Sequence, residues 1–316
     1  MPTTHGPHGA GSPSRRAVLG AAAAGLLSAC TTTGTRGPDA PRSARASGGG
    51  SSSGAAAPPS ASASSSSAAS PAPSPTPSID LQAAPASVIA RSHVPILCYH
   101  QIRDWTPRDS SADRAYIMPP ATFTAQLDAL SASGYTTVTP DQLLAHLTTG
   151  APLPERPVML TYDDADADGY DVALPQMLQR GFTGTYFLMT VVLGKQHYLS
   201  ADQVRELERA GMTIAAHTWD HHRVDRYSGN DWQVQIDRPT QEIAAIVGHP
   251  VRYFAYPYGA WSPAAFEHLQ AAGFSAAFQL DAAPLDPVHP LFTIERKIAN
   301  PTWSTSTLLR ELATGF

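Results

Sequence analysis

Short apolar runs alternate with longer amphipathic stretches along the chain beyond residue 92. Each apolar run has the length of a buried β-strand, and each amphipathic stretch repeats its apolar residues at helical spacing. Repeated strand–helix units predict parallel pairing and therefore an α/β fold. The predicted strands are 94–99, 135–139, 157–162, 183–188, 212–216, 251–256, 274–279 and 292–298.

The amphipathic stretches between these runs predict helices, several of which begin at a capping residue and end at a glycine. Thr122, Thr139 and Ser200 are the predicted N-caps, and Pro140 suits a first helical position. The number of units favours a deformed (β/α) barrel of about seven strands over an open doubly wound sheet. The predicted helices are 122–133, 141–147, 173–180, 201–210, 231–247, 263–272 and 306–313.

The first 92 residues differ sharply from the rest in composition. Residues 31–92 are dominated by Ser, Ala, Pro, Gly and Thr, so they cannot bury enough apolar surface to fold, and we predict a disordered tether. Residues 93–316 remain as one folded domain.

Residues 1–30 have the features of an export signal. Arg15-Arg16 precedes an apolar run of about 13 residues, too short to span a bilayer as a mature helix. The arginine pair resembles a twin-arginine signal, and Leu27–Cys30 resembles a bacterial lipobox in which Cys30 receives a lipid. We expect a lipoprotein that faces outward from the cell membrane, or a secreted protein. The alternative is an ordinary signal peptide in which the cysteine occurs by chance.

The charges and the cysteines narrow the range of partners. The net charge is −5 and only two lysines occur, so the sequence has no basic footprint for nucleic acid. If Cys30 carries a lipid, Cys98 has no disulfide partner. Since Cys98 lies within a predicted strand, we interpret it as a small core residue. We expect a monomer.

Chemically reactive side chains follow three of the predicted strands. Asp163-Asp164 follow the third strand, and His217 and His221 follow the fifth. The carboxyl ends of barrel strands share one rim, so acids and imidazoles there can converge on one divalent cation. Tyr258 lies between Pro257 and Gly259 after the sixth strand, in a turn that can direct a backbone N–H into the site. A polar turn that caps the next helix remains the alternative for the aspartates.

These segments resemble the polysaccharide deacetylases of the NodB-homology class, carbohydrate esterase family 4. The resemblance covers about residues 93–316 and consists of three motifs in the family's order, Thr161–Ala165, His217–His221 and Ala255–Gly259. The segments Val94–His100 and Phe254–Gly259 look most like the branch of poly-N-acetylglucosamine deacetylases.

The resemblance implies a role for each motif residue. Asp164, His217 and His221 would hold a divalent metal ion, with zinc as the expected cofactor. Asp163 would be the general base, and the backbone N–H of Tyr258 would stabilise the oxyanion. The implied reaction removes N-acetyl groups from N-acetylhexosamine residues of an extracellular polysaccharide such as poly-N-acetylglucosamine, peptidoglycan or a chitin-like polymer.

The sequence departs from the family pattern at three points. Ala165 replaces a glycine, and Ala255 replaces the arginine that pairs with the base, for which we expect Arg296 as the substitute. No residue near the C-terminus matches the family's acid histidine, and His100 is a candidate for that role. The aromatic side chains predicted to bind sugar are Trp219, Tyr256 and Trp261, with core packing as the alternative for Tyr256.

Two other functions remain possible from the sequence. The same metal chemistry would serve an O-acetyl esterase that acts on xylan. The changes at Ala165 and Ala255 would also fit an inactive surface lipoprotein that only binds glycans.

Overall fold

A curled sheet of parallel strands forms the interior of the protein, and the connecting helices pack around it. The computed structural model describes residues 78–280 and 284–316. The strands are β1 (Ile96–Tyr99), β2 (Thr136–Thr137), β3 (Pro157–Asp163), β4 (Thr185–Leu188), β5 (Thr213–Ala216), β6 (Tyr253–Ala255), β7 (Ala276–Phe278) and β8 (Lys297–Ile298). Within the described residues, seven of them form a continuous path in the order β7-β6-β5-β4-β3-β1-β8, and β2 pairs with β3.

The last strand segment reaches both ends of the sheet. Ile294 hydrogen bonds with β7, through Ala277 O and the backbone N–H of Gln279, while β8 pairs with β1. Residues 294–298 therefore lie between the two edge strands and complete the curl. The predicted deformed (β/α) barrel of about seven strands is confirmed.

The helices follow the predicted positions closely, and their ends show why. Thr139 and Ser200 form capping boxes at the helices that begin at Pro140 and Ala201, as their positions predicted. Thr122 is not an N-cap, because its helix begins two residues earlier, where Pro120 takes the first helical position. The helices are α1 (Pro85–Ile89), α2 (Ser111–Arg114), α3 (Pro120–Ala132), α4 (Pro140–Thr149), α5 (Leu174–Leu178), α6 (Ala201–Arg209), α7 (Arg238–Val247), α8 (Pro263–Ala271) and α9 (Thr305–Thr314).

The folded unit begins earlier than the predicted boundary at residue 92. Helix α1 buries Val88 in the core, and the backbone N–H of Asp80 donates to Thr148 on α4. Residues 78–92 are therefore part of the fold. The low apolar content of the preceding stretch masked this short helix.

Residues 1–77 lie outside the described part of the chain, and the predicted signal peptide, the lipidated Cys30 and most of the predicted tether lie there. Within residues 78–280 and 284–316, no helix combines the length and the apolar character needed to cross a bilayer.

Candidate active site

The two adjacent aspartates at the end of β3 have different surroundings. Asp163 is the last residue of β3 and its carboxylate is almost fully buried. Asp164 follows it with a φ of 75°, in the left-handed region that non-glycine residues rarely adopt. The backbone turn therefore sends two neighbouring carboxylates in different directions from one strand end.

Asp163 forms a two-point ion pair with Arg296. The guanidinium Nη1 donates to Asp163 Oδ1 at 2.7 Å and Nη2 donates to Oδ2 at 2.8 Å. Arg296 is fully buried just before β8, and its Nη1 also donates to Thr161 Oγ1 at 3.0 Å. The predicted pairing of Arg296 with Asp163 is confirmed. Arg296, next to β8, thus supplies the positive charge that the motif lacks at Ala255 in β6.

Asp164, His217 and His221 form a compact group of candidate metal ligands. Asp164 Oδ1 lies 3.5 Å from His217 Nε2 and 3.5 Å from His221 Nε2. Two ligands of a tetrahedral zinc ion, each about 2.0–2.1 Å from it, would lie roughly 3.3 Å apart. The observed separations match a shared cation.

Two of the candidate ligand atoms in this group have no hydrogen-bond partner among the described residues. Asp164 Oδ1 and His217 Nε2 are buried and form no hydrogen bond with any described residue. His217 Nδ1 lies 2.7 Å from the carbonyl oxygen of Ala255, so the ring donates there and its Nε2 carries the lone pair. Unpaired buried polar atoms are costly unless they bind something. The residues therefore fit a divalent cation.

The backbone around the group is strained where the loops leave the strands. Non-glycine residues with positive φ cluster at this rim, where the surrounding structure must hold them in place. Thr218 Oγ1 accepts a hydrogen bond from the backbone N–H of His221, which fixes the turn between the two histidines. The strained residues at the rim are Asp164, Ala165, Thr218, His221 and Tyr258.

Comparisons with known proteins agree on one family. Residues 150–277 match the family model described as polysaccharide deacetylase. YxkH of Bacillus subtilis (strain 168), whose name assigns it to this family, is 24% identical over 213 residues, which cover 67% of this chain and 74% of YxkH. Residues 150–277 therefore belong to a polysaccharide deacetylase domain. The matched stretch contains Asp163, Asp164, His217, His221 and Tyr258, but neither His100 nor Arg296.

Solved structures have the same fold as this deacetylase. The structure of IcaB from Ammonifex degensii is 25% identical, with a TM-score of 0.58, and the match covers 70% of this chain and 95% of that chain. Streptococcus pyogenes deacetylase PplD, solved in complex with acetate, is 22% identical with a TM-score of 0.64, over 69% of this chain and 97% of that chain.

The electrostatics of the deacetylase keep Asp163 ionised. Burial alone would raise the pKa of its carboxyl, but the charge of Arg296 holds that pKa below its usual value. Burial lowers the pKa of His221 to about 4, so its imidazole is neutral and able to bind a cation.

His100 lies beside the buried carboxylate of Asp163. It follows β1, whereas the two histidines of the metal-ligand group follow β5, on the other side of β3 in the strand order. The His100 ring lies with the Cys98 thiol and the Asp163 carboxylate in a group whose ligand atoms are all within 4.8 Å of one another. Cys98 Sγ is 3.5 Å from Asp163 Oδ2. Cys98 is buried, as its strand position predicted, but its contact with the carboxylate has no signal in the sequence.

The three predicted sugar-binding aromatic residues have different environments. Trp219 is 40% exposed within the histidine motif, so it is available to a ligand. Tyr256 is completely buried, and its predicted role in stacking on a sugar is therefore wrong. Trp261 is half-buried, packs on Phe266 and donates from Nε1 to Gln279 Oε1, a framework contact that occupies its polar edge.

Tyr258 is the most exposed aromatic residue near the ligands. Its side chain is 57% exposed, and its ring centroid lies 4.4 Å from that of His221. Its φ of 61° and ψ of 13° produce the tight turn that the Pro257–Gly259 sequence predicted.

Proposed function

We propose that this deacetylase removes N-acetyl groups from N-acetylhexosamine residues of an extracellular polysaccharide, with zinc as its metal. The observation that carries the proposal is the convergence of Asp164, His217 and His221, with inner atoms unpaired, beside an ionised Asp163. Such a constellation suits hydrolysis of an acyl group by an activated water. When bound, the zinc ion would polarise the acetyl carbonyl and lower the pKa of a water molecule.

The protein groups divide the reaction between them. Asp163 accepts the proton of the attacking water, and Arg296 holds its carboxylate in a fixed orientation. The backbone N–H of Tyr258 donates to the oxygen of the acetyl group as negative charge develops there. The carbon–nitrogen bond then breaks, and acetate and a free amine leave.

His100 is our candidate for the group that protonates the leaving nitrogen. Its imidazole lies beside Asp163 at the end of β1. Burial lowers its pKa, so it needs a proton from the reacting centre before it can give one to the amine.

Support for an N-acetyl substrate comes from the resemblance of residues 94–100 and 254–259 to poly-N-acetylglucosamine deacetylases. The acetate in the PplD complex is the product expected of either an amide or an ester. An O-acetyl esterase is therefore the alternative. A protein that only binds glycans is disfavoured, because Arg296 replaces the missing arginine and Ala165 adopts the φ of 65° that its position requires.

We also propose that the protein is exported and held at the outer face of the cell membrane by a lipid on Cys30. The twin-arginine-like and lipobox-like segments of residues 1–30 support this location. A site for polymeric glycans is useful where such polymers occur, outside the cell. Mass spectrometry of the membrane-extracted protein would reveal lipid on an N-terminal Cys30, or a longer unmodified chain if the proposal is wrong.

Acetate release from a panel of glycans tests the catalytic proposal. Wild-type protein loaded with zinc should release acetate from N-acetylglucosamine oligomers, and Asp163→Asn should bind zinc yet lose at least about 100-fold in rate. Asp128→Asn is the matched control, since the exposed Asp128 forms an ion pair with Arg180 on the surface. Release from acetylated xylan alone would favour the esterase. Glycan binding without any release would favour the inactive protein.

A further inference from the structure

The segment between β1 and α3, which includes α2, places an exposed tyrosine beside the reacting centre. Tyr116 is 45% exposed, and its ring centroid lies 5.0 Å from that of His100, with the planes 73° apart. His100 in turn lies within 4.8 Å of the Asp163 carboxylate, measured between their ligand atoms. An exposed aromatic ring is therefore one side chain away from the proposed base.

Backbone hydrogen bonds hold this tyrosine in place. The N–H of Gln101 donates to Tyr116 O at 3.1 Å, and the N–H of Met118 donates to Gln101 O at 2.8 Å. Trp105 Nε1 donates to Ile117 O at 2.8 Å, which ties the outer part of the segment to the same backbone. The ring is thus presented to solvent by a fixed support, and a fixed aromatic ring binds a ligand without further ordering cost.

Strand order places Tyr116 and Tyr258 on different sides of the carboxylates. Tyr258 follows β6, Asp163 ends β3 and His100 follows β1, in a sheet ordered β6-β5-β4-β3-β1. Next to Tyr258 a cavity of about 400 Å³ opens, lined by residues that include His221, Tyr227 and Gln235. The site is therefore open along the rim in one direction and flanked by an exposed aromatic ring in the other.

We propose that Tyr116 stacks on a sugar ring of the polymer next to the unit that reacts, so that the enzyme acts on units within a chain. The inference rests on the proposed function, because it takes a glycan as the ligand. Sugar rings have apolar C–H faces that pack well on exposed aromatic rings, and the phenol can hydrogen bond at the edge. A free monosaccharide occupies only the reacting position and gains nothing from Tyr116.

Acetate release is measured on N-acetylglucosamine and on its oligomers of increasing length, with wild type, Tyr116→Ala and Tyr116→Phe. We expect Tyr116→Ala to raise KM for the longer oligomers by roughly 3- to 10-fold, with kcat for them and kcat/KM for the monosaccharide unchanged. Tyr116→Phe keeps the ring and should stay within about twofold of wild type. Leu178→Ala is the control, since Leu178 is similarly exposed but ends α5, at the rim away from the site.

Equal KM values for wild type and Tyr116→Ala on long oligomers would overturn the inference alone and leave the proposed function intact. A fall in kcat on every substrate, monosaccharide included, would also overturn it, because Tyr116 would then act through His100. Calorimetric binding of oligomers to zinc-free protein separates the two proposals. If wild type binds oligomers but releases no acetate even when loaded with zinc, the proposed function is wrong. Weaker binding of oligomers by Tyr116→Ala would still support the stacking role of Tyr116.

Discussion

Replacement of Arg296 by methionine is the strongest test of how the site is built. Arg296 is fully buried and donates three hydrogen bonds of 2.7–3.0 Å, two of them to Asp163. Arg296→Met keeps a long side chain but leaves a buried carboxylate without its cation. Breaking a buried ion pair in this way costs about 3–5 kcal/mol of unfolding free energy. For a domain of this size the melting temperature should fall by roughly 6–20 °C.

A double-mutant cycle isolates the pair from the rest of the packing. Asp163→Asn alone leaves the buried guanidinium without its partner and should cost a similar amount, whereas the double variant removes both charges of the pair. The two single losses should therefore exceed the loss in the double variant by about 2 kcal/mol or more. Lys297→Met is the control. It removes the basic residue next to Arg296 and its partly exposed contact with Glu311, and it should lower the free energy of unfolding by at most about 1 kcal/mol.

The loss in Arg296→Met should also depend on pH. In wild type Arg296 holds the pKa of Asp163 below its unfolded value, so the stabilisation is complete at any pH above that unfolded value. Without Arg296, burial raises the folded pKa above the unfolded one. The stability deficit then grows as pH rises through the raised pKa, and it shrinks at lower pH, where a protonated Asp163 needs no cation.

Urea unfolding at pH 5 and pH 8 measures this deficit, and acetate release measures its effect on the base. We expect at least about a 100-fold loss of rate at neutral pH, with the acid limb of the pH–rate profile moved to higher pH. A loss below about 1 kcal/mol, or additive effects in the cycle, would refute the assignment of Arg296 as the partner that orients the base.

Three further predictions concern the metal-ligand group and the two alanines. Chelation should abolish acetate release. Zinc added back at a hundredfold excess over its Kd should increase the free energy of unfolding of wild type by about 2.7 kcal/mol, but should not stabilise Asp164→Ala or His217→Ala. Full activity of protein that metal analysis shows to be free of metal would contradict this prediction. Ala165→Val should lower the free energy of unfolding, measured in urea, by at least about 2 kcal/mol, because a branched side chain fits poorly at a φ of 65°. Ala165→Gly should stay within about 1 kcal/mol of wild type. Equal losses in the two variants would show that the backbone there is unstrained. Ala255→Arg should lower the free energy of unfolding by at least about 1–3 kcal/mol, because Ala255 is fully buried and Arg296 already occupies the place beside Asp163. A variant that melts at the wild-type temperature would show that the added side chain is not crowded.

Much of the fold could be predicted because the strands are buried and the helices are amphipathic. Every predicted strand overlaps an observed one, from β1 in 94–99 to β8 in 292–298, although β3 runs one residue beyond its predicted end at 162. Short elements were missed: α1 has five residues and α2 has four, too few for a helical period to register. The start of the domain was placed too late for the same reason, since α1 lies in a stretch of predominantly small residues.

The site divides in the same way between local motifs and long-range contacts. Asp164 and His217 directly follow their strands, and His221 lies four residues after His217, so parallel pairing brings them to one rim. Tyr116 carries no such signal, because its contact with His100 depends on hydrogen bonds that fold the intervening segment back. The burial of Tyr256 likewise depends on how β6 and β7 face the core, which alternation over a three-residue strand cannot predict.

Arg296 shows why a missing motif residue does not imply a missing function. Asp163 needs a cation because burial would otherwise protonate it, and that need is set by its position at the end of β3. Any strand that ends near β3 can supply the charge, and the sheet brings residues 294–298 against β1, the neighbour of β3. The requirement is therefore for a guanidinium at one point in space. Two different positions in the chain can meet it, and this chain uses the one at residue 296, 41 positions beyond Ala255.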